Sequence, residues 1–391
     1  MKKFFLNNKK YLLLILYIVV VTAIILSLFL IGWTKTWSFL FVPTLQPYYA
    51  DLRTVQGLIF SMSHGFDPYF SNPGDPWGRT LNYPSIWIFI ANIFFLDLEL
   101  NYIIFVSAYV CVYIIICLFL IYKYPSICLL LIIFSGSSLL AIERGNIDLI
   151  IFNLLYISSV TPIFLSSLLI IFATILKIYP IFSIISIYNN KKILLFSLLI
   201  ASLYFASRVP ELLKIINNTP VSSYISYGAP SIAKALANKL YELTSFKIIT
   251  LLNHSFLIAF FLIVIAFVVG KNKEIKSLFQ CKLYSENELK LFLIGSSIYL
   301  FTFIISSNWD YRLIFLIFCI PFINKITKNF SKFYLLALIL IASNRSILDR
   351  LFSHSSASFL SILSKCLLFI ALIWIIQSNF GKFIKRSKLK Y

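Results

Sequence analysis

Four short polar islands in an otherwise apolar chain carry residue types that could do chemistry. They are Tyr49-Ala50-Asp51-Leu52-Arg53, Glu143-Arg144-Gly145-Asn146-Ile147-Asp148, Lys177-Ile178-Tyr179-Pro180 and Ser306-Ser307-Asn308-Trp309-Asp310-Tyr311-Arg312. Asp51 is a candidate general base, able to take a proton from a hydroxyl held within hydrogen-bond reach. It also precedes a helical pattern, with Leu52, Val55, Leu58, Ile59 and Met62 on one face and Gly65 as a stop, so an N-cap role competes. The guanidinium fork of Arg144 or Arg312 matches phosphate oxygens in geometry, and Lys177 adds a point charge. Glu143 with Arg144 also reads as a structural ion pair, and Lys177 as a snorkelling side chain.

The elements that position these islands are membrane helices. Of 391 residues, 60% are apolar and 12% charged, a balance that makes the bilayer the solvent. Hydrophobic runs such as 11–31, 103–122, 248–269 and 359–376 approach the ~20 residues that cross hydrocarbon as a helix. The pattern predicts an all-α, polytopic transmembrane protein of about 12 spans in one domain, 1–391. The first run follows lysines but lacks a small-x-small cleavage site, so it reads as a retained signal-anchor helix. Residues 33–99 form a first external loop with amphipathic juxtamembrane helices, and 208–246 a second large external loop. After Asn82-Tyr83-Pro84, the segment 85–96 is too short to span and reads as a half-inserted helix.

With both termini cytoplasmic, the inner loops hold 20 basic residues against three acidic, net +17; the rest of the chain holds 14 against 11, net +3. Positive-inside asymmetry thus accounts for the overall charge of +20, and no basic patch remains for nucleic acid. Seven of the eight arginines fall outside while the inner loops use lysine, which points to an anionic ligand or to lipid headgroups on that face. The six cysteines lie mostly inside apolar runs, and the three histidines are scattered, so neither disulfides nor a metal site are indicated. No nucleotide-binding glycine loop occurs.

These islands together resemble the polytopic glycosyltransferases of the GT-C class. The early Asp51, then Gly65-Phe66-Asp67-Pro68-Tyr69 and Asn82-Tyr83-Pro84, are similar to the bacterial family 87 enzymes, as is the late Asp310-Tyr311-Arg312. Arg144-Gly145-Asn146 and Lys177-Ile178-Tyr179-Pro180 resemble the RGN and KIYP elements of the first mannosyltransferase of GPI-anchor synthesis. That enzyme carries two acids as Asp-x-Asp, whereas Leu52 and Arg53 follow Asp51 here, so a metal-free mechanism fits better. The resemblance implies an inverting hexose transfer from polyprenyl phosphate to a glycan or glycolipid acceptor at the external face of a bacterial plasma membrane, without a cofactor. In it Asp51 is the base, and Arg144, Lys177 and Arg312 receive the phosphate. Asn146, Tyr179, Asp310, Tyr311, Arg53 and His64 contact sugar. A flippase or transporter of lipid-linked sugars, and an O-antigen polymerase or ligase, are the competing readings.

Overall fold

The computed structural model describes residues 2–244 and 251–388, so the first residues of the apolar run expected from 247 and the end of the 208–246 loop lie outside it. The chain is mostly helical, 76%, which settles the class as all-α. It divides into two compact units, Met1–Pro220 and Val221–Tyr391.

The first unit opens with α1 (Lys2–Leu30), followed by the short α2 (Trp33–Phe39). A turn at Ala50–Leu52 leads into α3 (Arg53–Gln56) and α4 (Leu58–Ser63). The periodicity predicts one helix here, yet it breaks at Gly57. A Cβ on Gly57 would lie 2.4 Å from the carbonyl carbon of Gly74, so the 72–79 segment crosses at a point where only glycine fits. Leu52, Val55 and Leu58 are buried as the pattern requires, whereas Met62 is exposed beyond the break.

Tyr83-Pro84 then start α5 (Ile86–Ile93), whose Trp87 and Ala91 are buried while Phe89 and Ile93 face outward. Its length, about 12 Å at 1.5 Å per residue, cannot cross hydrocarbon. The long α6 (Glu99–Lys123) can. Three shorter pieces of helix follow, α7 (Ile127–Ile133), α8 (Gly136–Glu143) and α9 (Asp148–Val160). Thr161-Pro162 turns the chain into α10 (Ile163–Leu176), which pairs with α9 as a hairpin. Lys177 is extended, and Tyr179–Ile187 continues as a 3₁₀ helix. At roughly 2.0 Å per residue its nine residues reach about 18 Å, against about 14 Å for the same count in an α-helix. The unit ends with α11 (Lys191–Ser207) and α12 (Val209–Asn218), bent by 77°.

The second unit holds α13 (Ala229–Thr244), α14 (Leu251–Gly270) and α15 (Lys273–Leu278). The central α16 (Glu286–Ile305) opens on a capping box made by Ser285 and Glu288. Two-residue strands β1 (Ser226–Tyr227) and β2 (Asn308–Trp309) pair antiparallel, and β2 feeds a 3₁₀ helix, Asp310–Cys319, packed against α16. Then come α17 (Ile320–Ile323), α18 (Asn329–Ser343), α19 (Arg345–Leu351) and α20 (His354–Lys388).

Among the described residues four helices are long and apolar enough to cross a membrane: α1, α6, α16 and α20. The count reaches six if the bent pairs α11–α12 and α18–α19 are each one span. Their surroundings differ. Only 11% of the most apolar window of α1 is buried within the protein, against 83% for α16, so α1 leaves most of its apolar surface uncovered and α16 is a core helix.

Candidate functional site

The first unit gathers three of the four islands. Asp51 sits in the turn after Tyr49, whose backbone is left-handed (φ 59°), and its N–H donates to the Arg144 carbonyl at 3.0 Å. Its carboxylate accepts from Asn146 Nδ2 at 2.6 Å. No side chain caps this turn or α3, so the carboxylate serves the island at 144–146 and not the helix that follows it.

The Arg-Gly-Asn sequence has a physical reading. Helix α8 ends with Gly145 N–H donating to Ile142 O and Asn146 N–H to Ala141 O, both at 3.0 Å, the paired bonds of a Schellman ending. Gly145 takes φ +54°, and a Cβ there would lie 2.7 Å from Tyr49 Cβ. Asn146 therefore points back across the helix end. Its Oδ1 accepts from Asp148 N–H at 2.8 Å, which fixes the amide so that Nδ2 must be the group facing Asp51.

Asp148, fully buried in the first turn of α9, takes the Lys177 ammonium at 2.5 Å. Lys177 also lies 5.3 Å from the Tyr83 ring centroid and 5.8 Å from that of Tyr179. The α9–α10 hairpin explains this pairing, since residue 148 begins one arm and residue 177 ends the other.

Arg79 stands beside Asp51. Its Nη1 is 3.9 Å from Asp51 Oδ1, and Nη2 donates to the Ala50 carbonyl at 2.6 Å. Asp75, buried, holds the same guanidinium through Nε at 3.1 Å and Nη2 at 2.7 Å, and Thr54 and the Trp77 N–H also donate to Asp75. The Trp77 ring lies against Arg79, 4.5 Å from its Cζ. Partial burial opposes the charge, but the hydrogen bonds and charge of Asp75, with Asp51 adding, hold the guanidinium above its ordinary pKa.

Other candidates are placed differently. Arg144 pairs with Glu143 at 3.3 Å and donates to the Pro43 carbonyl at 3.2 Å, and Glu143 also accepts from the Leu45 N–H at 3.0 Å. Arg53 is buried and committed to structure. It meets Glu99 bidentately at 2.5 and 2.7 Å, donates to Gln56 and to the Tyr48 carbonyl, and lies over the Tyr102 ring. His64, exposed at the end of α4, makes its ring contacts with Phe60 and Ser63. Tyr179 is buried at the start of its 3₁₀ helix.

Asp310, Tyr311 and Arg312 belong to the second unit. Asp310 is buried, and Lys365 of α20 donates to both its oxygens at 2.8 and 2.9 Å while also reaching the Ser226 carbonyl at 3.0 Å. Arg312 donates through Nη1 to Asn308 Oδ1. Tyr311 is buried. No motif in the sequence marks Arg79, Asp75, Asp148 or Lys365 for an individual role. A lone lysine in the apolar run of α20 is itself a signal, because a charge in such a place calls for a partner.

Among the described residues no three His, Cys, Asp or Glu side chains gather as a metal-ligand group. No protein family, curated protein or solved structure matches the chain.

Proposed function

We propose that the chain is an inverting glycosyltransferase of the GT-C type, moving a mannose-like hexose from polyprenyl phosphate to a glycan or lipid-linked acceptor at the external face of a bacterial plasma membrane. The observation that carries the reading is Asp51, a carboxylate with 17% of its side chain exposed, oriented by Asn146 and flanked by Arg79. An acceptor hydroxyl that reaches the exposed edge gives its proton to Asp51. The hydroxyl oxygen bonds to the anomeric carbon from the side opposite the phosphate, the carbon–phosphate oxygen bond breaks, and polyprenyl phosphate leaves with that electron pair. Configuration inverts.

The phosphate needs cations that are in place before it departs. The sequence assigns Arg312 of the second unit to this role together with Arg144 and Lys177; in the first unit the role falls to Arg144, Lys177 and Arg79, the last added on geometry. Each already has a carboxylate neighbour, Glu143, Asp148 and Asp75 respectively, which fixes its direction. Asn146 acts as a positioning residue for the base. The full topology belongs to the same proposal: about twelve spans with both termini inside, the shorter apolar helices 127–143, 148–160, 163–176 and 254–270 and the two 3₁₀ segments serving as the short crossings.

The test uses purified parent and Asp51→Ala protein in detergent, with labelled polyprenyl-phosphate hexoses and glycan acceptors. Transfer by the parent alone, with the carrier still bound by the variant, supports the base. Equal transfer by both removes Asp51 from that role. Carrier binding by both without any transfer favours a flippase.

A further inference from the structure

Helix α12 has two faces with different company. At 3.6 residues per turn, Glu211, Lys214, Ile215 and Asn218 share one side. Glu211 accepts from the Ser85 N–H at 2.5 Å, the Ser85 hydroxyl at 3.1 Å and the Tyr69 hydroxyl at 3.2 Å. Lys214 pairs with Asp67 at 3.1 Å, and Asn218 donates to the Tyr69 and Leu81 carbonyls. This side grips the 67–85 segment of the first unit, and Ile215 is buried beneath it. The opposite side carries Val209, Leu213 and Ile216, which are 49%, 56% and 62% exposed.

We infer that this second face lies in the membrane interface, with lipid as its occupant. The preceding helix α11 has 17 residues, about 25 Å, and exposes Leu195, Phe196, Leu199 and Leu203. Such a surface meets acyl chains. The 77° bend at Arg208 turns α12 nearly perpendicular to α11, so a helix rising through the bilayer is followed by one lying along its surface. The Val209, Leu213 and Ile216 stripe follows the exposed apolar residues of α11 directly in the chain, while Arg208, half-exposed at the bend, sits where headgroup phosphates are. Glu211, Lys214 and Asn218 on the gripping side keep α12 from crossing. The helix is thus an anchor that ties the 67–85 segment to the membrane plane, an inference independent of the transferase reading.

A fluorescent NBD group placed at Leu213, Ile216 or Ser71, in a cysteine-free full-length chain reconstituted in phosphatidylethanolamine–phosphatidylglycerol vesicles, tests this. Ser71 is the exposed control on the gripped segment. Leu213 and Ile216 labels are expected to emit blue-shifted light, to be quenched by lipids with a nitroxide high on the acyl chain, and to resist aqueous iodide, which quenches the Ser71 label. Iodide quenching at all three positions overturns the inference. So does quenching by neither agent with energy transfer between labelled copies that grows with protein density, which assigns the face to a second chain. Photoreactive phospholipid, crosslinked to the unaltered protein and mapped by mass spectrometry, must mark α12; its absence there overturns the inference without any variant.

Discussion

Asn146→Asp replaces the amide that donates to Asp51 at 2.6 Å with a second carboxyl group. Two carboxylates so placed cannot both ionise without repulsion, so the pair retains one proton to higher pH. With charge centres roughly 4 Å apart and an effective dielectric of about 20, the repulsion is about 4 kcal/mol. The nearby Arg79 guanidinium and the partial exposure of Asp51 lower it to about 2–3 kcal/mol. In the unfolded chain both carboxyls titrate near about 3.9. Between that pH and the raised value of the folded pair, the folded variant binds more protons, so its stability falls as pH rises. Thermal unfolding of parent and variant in detergent is expected to show a small deficit at pH 4 that widens to its full size by about pH 7. Asn146→Ala, which adds no second carboxyl group, shows no such widening toward pH 7. A deficit for Asn146→Asp that is equal at pH 4 and pH 8, or absent at both, refutes the facing arrangement of Asp51 and Asn146.

Asp148→Asn takes the charged partner from Lys177, pairs its ammonium with a neutral amide, and costs about 2–4 kcal/mol by thermal unfolding; the double variant with Lys177→Met recovers part of the loss. Asp75→Asn weakens the hold on Arg79 and costs about 2–3 kcal/mol, less than a fully buried pair because Arg79 is partly exposed; faster cleavage of the 66–80 segment by added protease reads the loosening. Gly145→Ala combines a left-handed backbone with a Cβ 2.7 Å from Tyr49 Cβ and costs about 2–4 kcal/mol, measured as a lower unfolding temperature at every pH.

Composition and hydrophobic runs made the all-helical architecture and its helices long and apolar enough to cross a membrane legible, because such helices need little besides apolar residues. The polar islands were legible as places, since charges amid apolar runs stand out. Their partners were less so. Asp148 and Lys177 are distant in sequence, and only the Pro162 turn hints that α9 and α10 fold back to bring them level. Arg79 reads as one arginine among several until the buried Asp75 aims it at Asp51, and Arg53, two residues after the candidate base, is held by Glu99. The break at Gly57 escaped the periodicity because its cause is a backbone crossing from elsewhere, which no local pattern encodes.

That crossing constrains how the sequence can drift. A core pair of large and small residues often changes by exchange, one shrinking as the other grows. Gly57 and Gly74 have no such route, because a Cβ on either would meet the backbone of the other and not its side chain. Each glycine is locked whatever its partner becomes. Homologues that keep this loop must therefore keep both, and a chain that has lost one has rebuilt the path from Asp51 to Arg79.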